Sequence, residues 1–308
     1  MGKARSVEET LLIVGSIAFD SVETPRGSVD MALGGSASYA SLAASYLARP
    51  QVVAIVGEDF GNEHLTRFEK NGVDTEGIER VRGKTFHWRG RYRDNFKERD
   101  TIETCLNVFE GFDPVLPEKY QQTCCVFLGN IDPTLQSAVL DQVSRSEIVA
   151  MDTMNFWINT QLKALKQVLR RVDILFINDE EAFQLSGAES VLLAAEEILA
   201  LGPRYVVIKR GEYGSLLFGP EYRLFVPVVL LPRVVDPTGA GDAFAGGFMG
   251  YLSKVKALDR TSMAGALMRG TVMASFAVEA FSIDGLAELE EPAIDHRLKG
   301  LENLIDFR

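Results

Sequence analysis

The sequence predicts an α/β fold in one domain of 308 residues, with a mainly parallel central sheet and a small β-sheet lid. Short apolar runs that end in a glycine or a polar residue alternate with segments of helical apolar spacing. Strands that alternate with helices form βαβ units, whose sheet is covered by helices on both faces. Two segments, at about 20–34 and 83–108, break the alternation and favour strands of their own, so we assign them to the lid.

The predicted strands of the central sheet are continuous apolar runs, as expected of strands buried on both faces. They lie at 11–14, 52–56, 124–128, 148–151, 174–177, 205–208 and 230–235. The predicted helices lie at 36–47, 62–71, 134–143, 158–172, 180–185, 191–201, 241–252, 260–278 and 294–305. Ligands bind at the carboxyl ends of the strands in such a sheet, so polar residues that directly follow a strand are candidates for a site.

The second lid segment alternates aromatic and basic side chains around a polar turn at 94–98, which predicts a hairpin. One face carries Phe86, Trp88 and Tyr92, and the other carries His87, Arg89, Arg91 and Arg93. Aromatic residues on a strand face more often belong to a core or a dimer interface than to a platform that stacks on a ligand ring. Both interpretations of the aromatic face stay open at this point.

The net charge and the cysteine content indicate which binding partners and which cellular compartment to expect. The formal net charge is −11, and an acidic chain is repelled at long range by nucleic acid and by anionic lipid, so we expect neither as a partner. Cys105, Cys124 and Cys125 lack the spacing of a zinc or redox site, which indicates reduced thiols in a cytoplasmic protein. The apolar runs are too short to span a bilayer.

The most informative motif is Asp236-Pro237-Thr238-Gly239-Ala240-Gly241-Asp242, which follows the predicted strand at 230–235 and opens a helix rich in alanine and glycine. The first N–H groups of a helix have no partner within it, and with the helix dipole they form an anion site. Gly239 and Gly241 let the backbone approach a ligand closely.

Asp242 is an unusual residue for a phosphate-binding turn, because its carboxylate repels phosphate. Its simplest role is to hold a substrate hydroxyl in line with a γ-phosphate and to accept the hydroxyl proton. The alternative is an acidic residue that merely suits the first turn of a helix. Chemistry alone leaves these two interpretations equally open.

This motif resembles the C-terminal signature of the ribokinase-like (PfkB) family of carbohydrate kinases. Three further segments agree in order along the chain from about 11 to about 285: Gly34-Gly35 before an alanine-rich helix, Asn178-Asp179-Glu180-Glu181, and Lys209-Arg210-Gly211-Glu212-Tyr213-Gly214. The resemblance implies a ribokinase-like three-layer sandwich. It also implies a kinase that transfers the γ-phosphate of ATP to a hydroxyl, expected to be a primary alcohol, of a sugar, a polyol or a related small molecule.

The resemblance further implies roles for individual residues. Asp242 is expected to be the base, beside an anion hole formed by Gly239, Ala240 and Gly241. Residues expected to bind ATP are Asn178, Lys209, Arg210, Gly211 and Gly214. Mg²⁺ is expected at Asn178 and Glu181 through water, and a monovalent cation such as K⁺ at Asp236 and Thr238.

On the acceptor side, Asp20 matches the acid that grips substrate hydroxyls in sugar kinases of the family; the alternative is a turn or cap residue. Other expected acceptor contacts are Gly34, Gly35, Ser36 and Asp132. The resemblance also implies a homodimer through the lid, and a lid that closes about Gly34-Gly35 to exclude water.

The chain departs from ribokinases after the glycine pair. Ribokinases carry a lysine where Ser36 stands and an asparagine three residues later, and Ala18 replaces an asparagine that contacts ribose. These losses make a nucleoside or a cyclitol as plausible as ribose; a nucleoside kinase is the first alternative and a phosphosugar kinase the next. A non-catalytic nucleotide-binding relative is disfavoured, since Asp242, the signature glycines, Asn178 and Glu181 are all present.

Overall fold

The computed structural model describes residues 9–94, 96 and 98–305. The strands in this part of the chain are β1 (Thr10–Val14), β2 (Ala18–Thr24), β3 (Gly27–Gly34), β4 (Arg49–Val56), β5 (Asp74–Arg80), β6 (Phe86–Tyr92), β7 (Arg99–Cys105), β8 (Cys125–Leu128), β9 (Ile148–Asp152), β10 (Ile174–Asn178), β11 (Tyr205–Lys209), β12 (Ser215–Phe218) and β13 (Arg223–Val226). The helices are α1 (Ser36–Ser45), α2 (Asn62–Lys70), α3 (Pro133–Gln142), α4 (Asn155–Thr160), α5 (Leu162–Leu169), α6 (Asp179–Ser186), α7 (Val191–Leu201), α8 (Ala240–Val255), α9 (Arg260–Ala277), α10 (Asp284–Ala287) and α11 (Glu291–Ile305).

Nine strands form the large sheet in the order β13-β12-β11-β10-β9-β8-β1-β4-β5. The strands from β11 to β5 are parallel to their neighbours, and the β11-β12-β13 edge is antiparallel. The predicted α/β class and the mainly parallel central sheet are therefore confirmed. The carboxyl ends of β8 to β11 lie side by side along one edge of this sheet.

The alternation of side chains along β1 divides the interior into two cores. Leu11 and Ile13 belong to the core shared with α1, α8 and α9, whereas Leu12 and Val14 belong to the core shared with α3, α5 and α7. Strands buried on both faces have apolar residues at every position. The continuous apolar runs of the sequence thus place the sheet between two helical layers.

The second sheet has the strand order β3-β2-β6-β7, and we call it the lid. β2 runs parallel to β6, while the β2-β3 and β6-β7 pairs are antiparallel. The predicted small β-sheet is therefore confirmed. Of the predicted hairpin turn at 94–98, Asn95 and Lys97 lie outside the described residues.

Two predicted elements are wrong. The run 230–235 is not a strand: Pro232 cannot donate to a strand ladder, and Leu230 is 75% exposed. The predicted helix 158–172 is two helices, α4 and α5, because the chain breaks at Gln161 with φ −130° and ψ 28°. Strands β5, β12 and β13 were not predicted: β5 and β13 are the edge strands of the sheet, β5 has mixed polar and apolar residues, and β12 and β13 are only four residues long.

Within the described ranges, no helix combines the length and the apolar composition needed to cross a bilayer.

Close packing of α1 against α8 generates a prediction about Gly246. A Cβ atom on this residue would lie 2.2 Å from the backbone oxygen of Ala40. We expect Gly246→Ala to lower the free energy of unfolding by about 1–3 kcal/mol, because the helices must move apart. Gly300→Ala is the matched control: it lies in α11 with nothing within 4 Å of the added atom, so we expect no loss. Equal denaturant midpoints for the two variants would contradict this packing.

Candidate active site

Helix α8 begins at Gly239, where two constraints require glycine. Its φ is +75°, in the left-handed region, and a Cβ atom there would lie 2.3 Å from the ring of Tyr39. The close approach of Tyr39 therefore positions the start of the helix. The Ala240 N–H donates to the carbonyl of Pro237 at 3.2 Å, and the N–H groups of Gly241 and Asp242 follow it in the first turn.

Asp242 lies in the first turn of α8, among other ionisable side chains. Burial, followed by the charge of Asp152 and then of Glu181, raises the pKa of Asp242 to about 7, although Lys209 opposes the shift. The ion pair of Lys209 is with Asp152 and not with Asp242. A partly buried carboxylate with a pKa near neutrality has the properties of a general base.

Lys209, at the end of β11, links three carboxylates. Its Nζ atom lies 2.7 Å from Oδ2 of Asp152. Asp152 is the last residue of β9, which is separated from β11 by β10. Burial opposes the charged ammonium, but Asp152, Glu181 and Asp242 outweigh it and raise the pKa of Lys209. The same Nζ atom lies 2.9 Å from the position that a Cβ atom on Gly241 would occupy, so this glycine lets the ammonium reach the helix start.

Asn178 and Glu181, at the junction of β10 and α6, form a reciprocal capping box. The Glu181 N–H donates to Oδ1 of Asn178 at 2.8 Å, and the Asn178 N–H donates to Oε2 of Glu181 at 3.0 Å. Burial and then the charge of Asp152 raise the pKa of Glu181 to about 7. The predicted pair thus lies at the same sheet edge as Lys209 and Asp242.

Asp20, on β2 of the lid, is buried and faces the same cluster. The backbone of Gly34 passes so close to Asp20 that a Cβ atom on Gly34 would lie 1.9 Å from Oδ2 of Asp20. The Asp20 carboxylate accepts a hydrogen bond from the Gly35 N–H. Burial and then the charge of Asp236 raise its pKa to about 7, with a smaller contribution from Asp242. Asp20 lies within a strand, so the alternative of a helix cap does not hold.

Asp236 and Thr238 lie directly before α8. Oδ1 of Asp236 accepts from the Thr238 N–H at 2.9 Å, whereas its buried Oδ2 has no hydrogen-bond partner among the described residues. The Thr238 hydroxyl donates to the Tyr92 hydroxyl at 3.3 Å, and the Thr24 hydroxyl donates to the carbonyl of Val235 at 2.9 Å. The lid therefore contacts the motif through both β2 and β6.

Two predicted acceptor contacts have other partners in the structure. Ser36 is buried, and Oγ of this residue accepts from the Ser16 N–H at 3.1 Å. Asp132 caps α3 by accepting from the N–H and the hydroxyl of Thr134, both at 2.7 Å. Contacts of Ser36 and Asp132 with an acceptor stay predictions.

The predicted nucleotide-binding turn after β11 is closed by backbone hydrogen bonds. Arg210 N–H donates to the carbonyl of Gly214 at 2.9 Å, and both Gly211 and Gly214 have positive φ, at 51° and 80°. Nε of Arg210 lies 3.5 Å from Oδ2 of Asp179. Both glycines are thus required by the turn, and Arg210 lies beside the start of α6.

Sequence reasoning missed two charged residues of the cluster, Asp152 and Arg99. A lone aspartate at a strand end has no motif, although the rule that ligands bind at strand ends points to it. Arg99, on β7, interacts electrostatically with Asp20, Glu181 and Tyr92. The arginines that the sequence did single out pair with acids of the lid, as Arg89 does with Asp30 at 3.3 Å and Arg91 with Glu23 at 2.8 Å.

Comparison with known proteins identifies a matching family, related kinases and a similar fold. The family described as pfkB family carbohydrate kinase matches residues 9–286. The chain is 32% identical over 254 residues to a cytidine kinase of Thermococcus kodakarensis, covering 81% of the chain and 90% of that relative. It is 27% identical to a nucleoside kinase of Methanothermobacter thermautotrophicus, covering 79% and 82%. The fold is similar to that of ribokinase from Giardia lamblia, with a TM-score of 0.80, 18% identity, and coverage of 94% and 99%.

The crowding of carboxylates generates a prediction about stability and pH. A carboxyl group whose pKa folding raises from 3.8 to about 7 stabilises the folded state fully below pH 3.8, and this contribution is lost as pH rises to about 7. We therefore expect Asp242→Asn to raise the free energy of unfolding at pH 8 by about 1–3 kcal/mol, and by less at pH 5. Denaturant unfolding at the two pH values measures this difference.

The control for this experiment is Asp259→Asn. Asp259 caps α9, and hydrogen bonds from Ser262 and Thr261 lower its pKa, so its replacement should not stabilise the protein at pH 8. Stabilisation of both variants, or of neither, at pH 8 would contradict the electrostatic account of Asp242.

Proposed function

The chain belongs to the pfkB family of carbohydrate kinases, and from this membership we propose that its acceptor is a nucleoside. The predicted class, an ATP-dependent kinase that phosphorylates a hydroxyl of a small molecule, is confirmed by the same comparisons. The observation that carries the finer proposal is the 32% identity to a cytidine kinase over 90% of that relative's length. The missing ribose contacts at Ala18 and Ser36 agree with it.

In this proposal Asp242 is the base. Its carboxylate holds the acceptor hydroxyl at the start of α8 and takes the hydroxyl proton as the oxygen attacks the γ-phosphorus of ATP. The P–O bond to ADP breaks in the same displacement, so ADP leaves with the electron pair. A pKa of about 7 lets the carboxylate be ionised before the reaction and still hold a proton afterwards.

The backbone N–H groups of Gly239, Ala240 and Gly241 are proposed to stabilise the transferring phosphoryl group. Donors fixed at a helix start need no reorganisation as negative charge develops. The ammonium of Lys209 adds a positive charge beside Gly241, and we propose that it contacts the phosphate oxygens. The turn with Arg210, Gly211 and Gly214 is proposed to bind the rest of the nucleotide.

The donor set at the sheet edge fits a hydrated Mg²⁺. Asp152 and Glu181 are neighbouring carboxylates, since the charge of Asp152 contributes to the raised pKa of Glu181, and Asn178 adds an amide at the same junction. Mg²⁺ prefers oxygen ligands and keeps several of its waters, so few protein groups are sufficient. When bound, the ion neutralises charge on the phosphates of ATP. We propose Asn178, Glu181 and Asp152 as the residues that hold it.

A monovalent cation is proposed beside Asp236 and Thr238. The support is Oδ2 of Asp236, a buried oxygen without a hydrogen-bond partner in the described part of the chain. A buried polar atom without a partner is costly, and a bound cation such as K⁺ would satisfy it.

The acceptor is proposed to lie between Asp20 and the lid. An ionised carboxylate accepts two hydroxyl hydrogen bonds, which suits the vicinal diol of a nucleoside ribose. Trp88 is the cross-strand partner of Asp20, so both side chains leave the sheet on the same face. The half-buried Trp88 ring, with Arg99 5.1 Å from its centroid, is a candidate for stacking on the nucleobase.

The remaining expectations about the lid belong to the same proposal. Lid closure about Gly34 and Gly35 would exclude water from the acceptor, and the φ of +91° at Gly35 suits a residue that sets the direction of the lid. Exposed Met31 and Ile102 on the lid support a homodimer through this sheet. The free cysteines agree with a reducing, cytoplasmic environment.

The acceptor is tested by measuring ADP formation with nucleosides, free sugars, sugar phosphates and cyclitols. We expect the highest kcat/KM with a nucleoside, and we expect Asp20→Ala to raise its KM by about 10–100-fold with a smaller effect on kcat, because a charged hydrogen-bond partner of the hydroxyls is lost. A free sugar as the best acceptor, or an unchanged KM in Asp20→Ala, would overturn the proposed acceptor site.

The proposed base is tested by Asp242→Asn. We expect turnover to fall by about 10²–10⁴-fold, because the amide cannot accept the proton, while ATP affinity is retained. Asp259→Asn is the control, since asparagine also caps a helix well and the residue lies at the start of α9. Near-normal turnover of Asp242→Asn would remove this residue from the mechanism.

A further inference from the structure

The face of the lid opposite Asp20 carries a histidine, a glutamate and a cysteine that the kinase reaction does not use. His87 on β6 and Cys105 on β7 are cross-strand partners. Glu103 is the cross-strand partner of Arg89, which is two residues after His87 and lies on the same face of the sheet. One donor atom from each of the three side chains lies within 4.8 Å of the other two. Strand pairing creates this group, which no spacing along the sequence indicates.

Hydrogen bonds of Ser21 determine which nitrogen of His87 carries the proton. The Ser21 hydroxyl donates to Oδ1 of Asp30 at 2.7 Å, and its oxygen accepts from the Met31 N–H at 3.1 Å. A hydroxyl has one proton, so towards Nε2 of His87, 3.0 Å away, Ser21 can only accept. The Nε2 atom of His87 is therefore the protonated one.

In the tautomer that carries its proton on Nε2, the Nδ1 atom of His87 has a lone pair on the side of Glu103 and Cys105. Nδ1 lies 3.9 Å from Oε2 of Glu103. The Cys105 thiol is hydrogen-bonded with the Glu103 carboxylate, so a nitrogen, an oxygen and a sulfur donor atom lie together, as the ligands of a cation do. Arg89, the cross-strand neighbour of Glu103, does not supply that cation here, because its guanidinium pairs with Asp30 at 3.3 Å.

We propose that His87 Nδ1, the Glu103 carboxylate and the Cys105 sulfur bind a Zn²⁺ ion on this face of the lid. Nitrogen, oxygen and sulfur are the ligand types of zinc, and three protein ligands with a water complete its tetrahedral shell. The Cys105 thiol gives its proton to solvent as it binds. A histidine that binds zinc through one ring nitrogen usually donates a hydrogen bond from the other, and this bond orients the ring. Ser21 accepts that bond from Nε2 of His87.

The bound ion cross-links β6 to β7 without entering the kinase site. His87 and Trp88 are adjacent in β6, so their side chains leave opposite faces of the sheet. The far ends of the same two strands carry Tyr92 and Arg99, which approach the acidic cluster. The ion therefore stiffens the hairpin that presents these two residues.

The test is zinc binding by the metal-free full chain, measured in competition with a chromophoric chelator. We expect one equivalent to bind, with thiolate-to-metal charge-transfer absorption when Co²⁺ replaces Zn²⁺. Cys105→Ser and His87→Gln should each lose that absorption and at least ~10-fold in affinity, and Ser21→Ala should lose about 10–100-fold as the histidine is no longer oriented. Retained kinase activity in Cys105→Ser shows that the variant is folded.

Matched controls are Cys124→Ser and His296→Gln, a second cysteine and an exposed histidine outside the lid. Both should bind zinc as the unaltered chain does. Weak binding equal in all variants, or an Nδ1-protonated His87 in ¹⁵N NMR spectra of the chain saturated with zinc, would overturn the proposal. In the second case an imidazolium paired with Glu103 explains the cluster instead.

Discussion

The structure around the proposed active site depends on carboxylates that share the ammonium group of Lys209. Asp152 pairs with it directly, and Glu181 and Asp242 interact with it at longer range. The three carboxylates outnumber the single ammonium group, and burial prevents water from screening these charges. The pKa values of Glu181 and Asp242 are therefore raised to about 7. We therefore expect polyphosphate to bind beside these carboxylates only together with cations, which supports the proposed Mg²⁺.

The parallel sheet brings these groups together although they are distant in sequence. Asp152, Asn178 and Lys209 are the last residues of β9, β10 and β11, which are neighbours in the large sheet. The start of helix α8 then places Gly241 against Lys209 and Gly239 against the ring of Tyr39, because these two glycines have no side chain to block the approach. The lid adds Asp20 and Arg99 from the other side. Strand order and two glycine positions thus account for most of the geometry.

Much of this arrangement was predictable from the sequence. The apolar runs predicted six strands of the large sheet, and Asp242, Asn178 and Glu181 were singled out as candidates because they lie in contiguous motifs. Asp152 was missed since one aspartate after a strand is common, and its pairing with Lys209 depends on the order of β9 and β11. The strand predicted at 230–235 failed because apolar composition does not reveal that Pro232 prevents pairing. Arg99 was missed because it comes close to the acidic cluster through its pairing with Tyr92 on β6, and the alternation of residues along the sequence does not reveal that pairing.

The proposed base, Asp242, is a carboxyl group that burial and its neighbours keep on the border between the protonated and ionised states. The most direct measurement is a ¹³C NMR titration of the Asp242 carboxyl in the ligand-free protein, assigned by comparison with Asp242→Asn. A midpoint near pH 7, moving upward when Lys209 is replaced by methionine, is the expected result. A midpoint near the ordinary value of 3.8, insensitive to Lys209, would contradict the crowded site described for this chain.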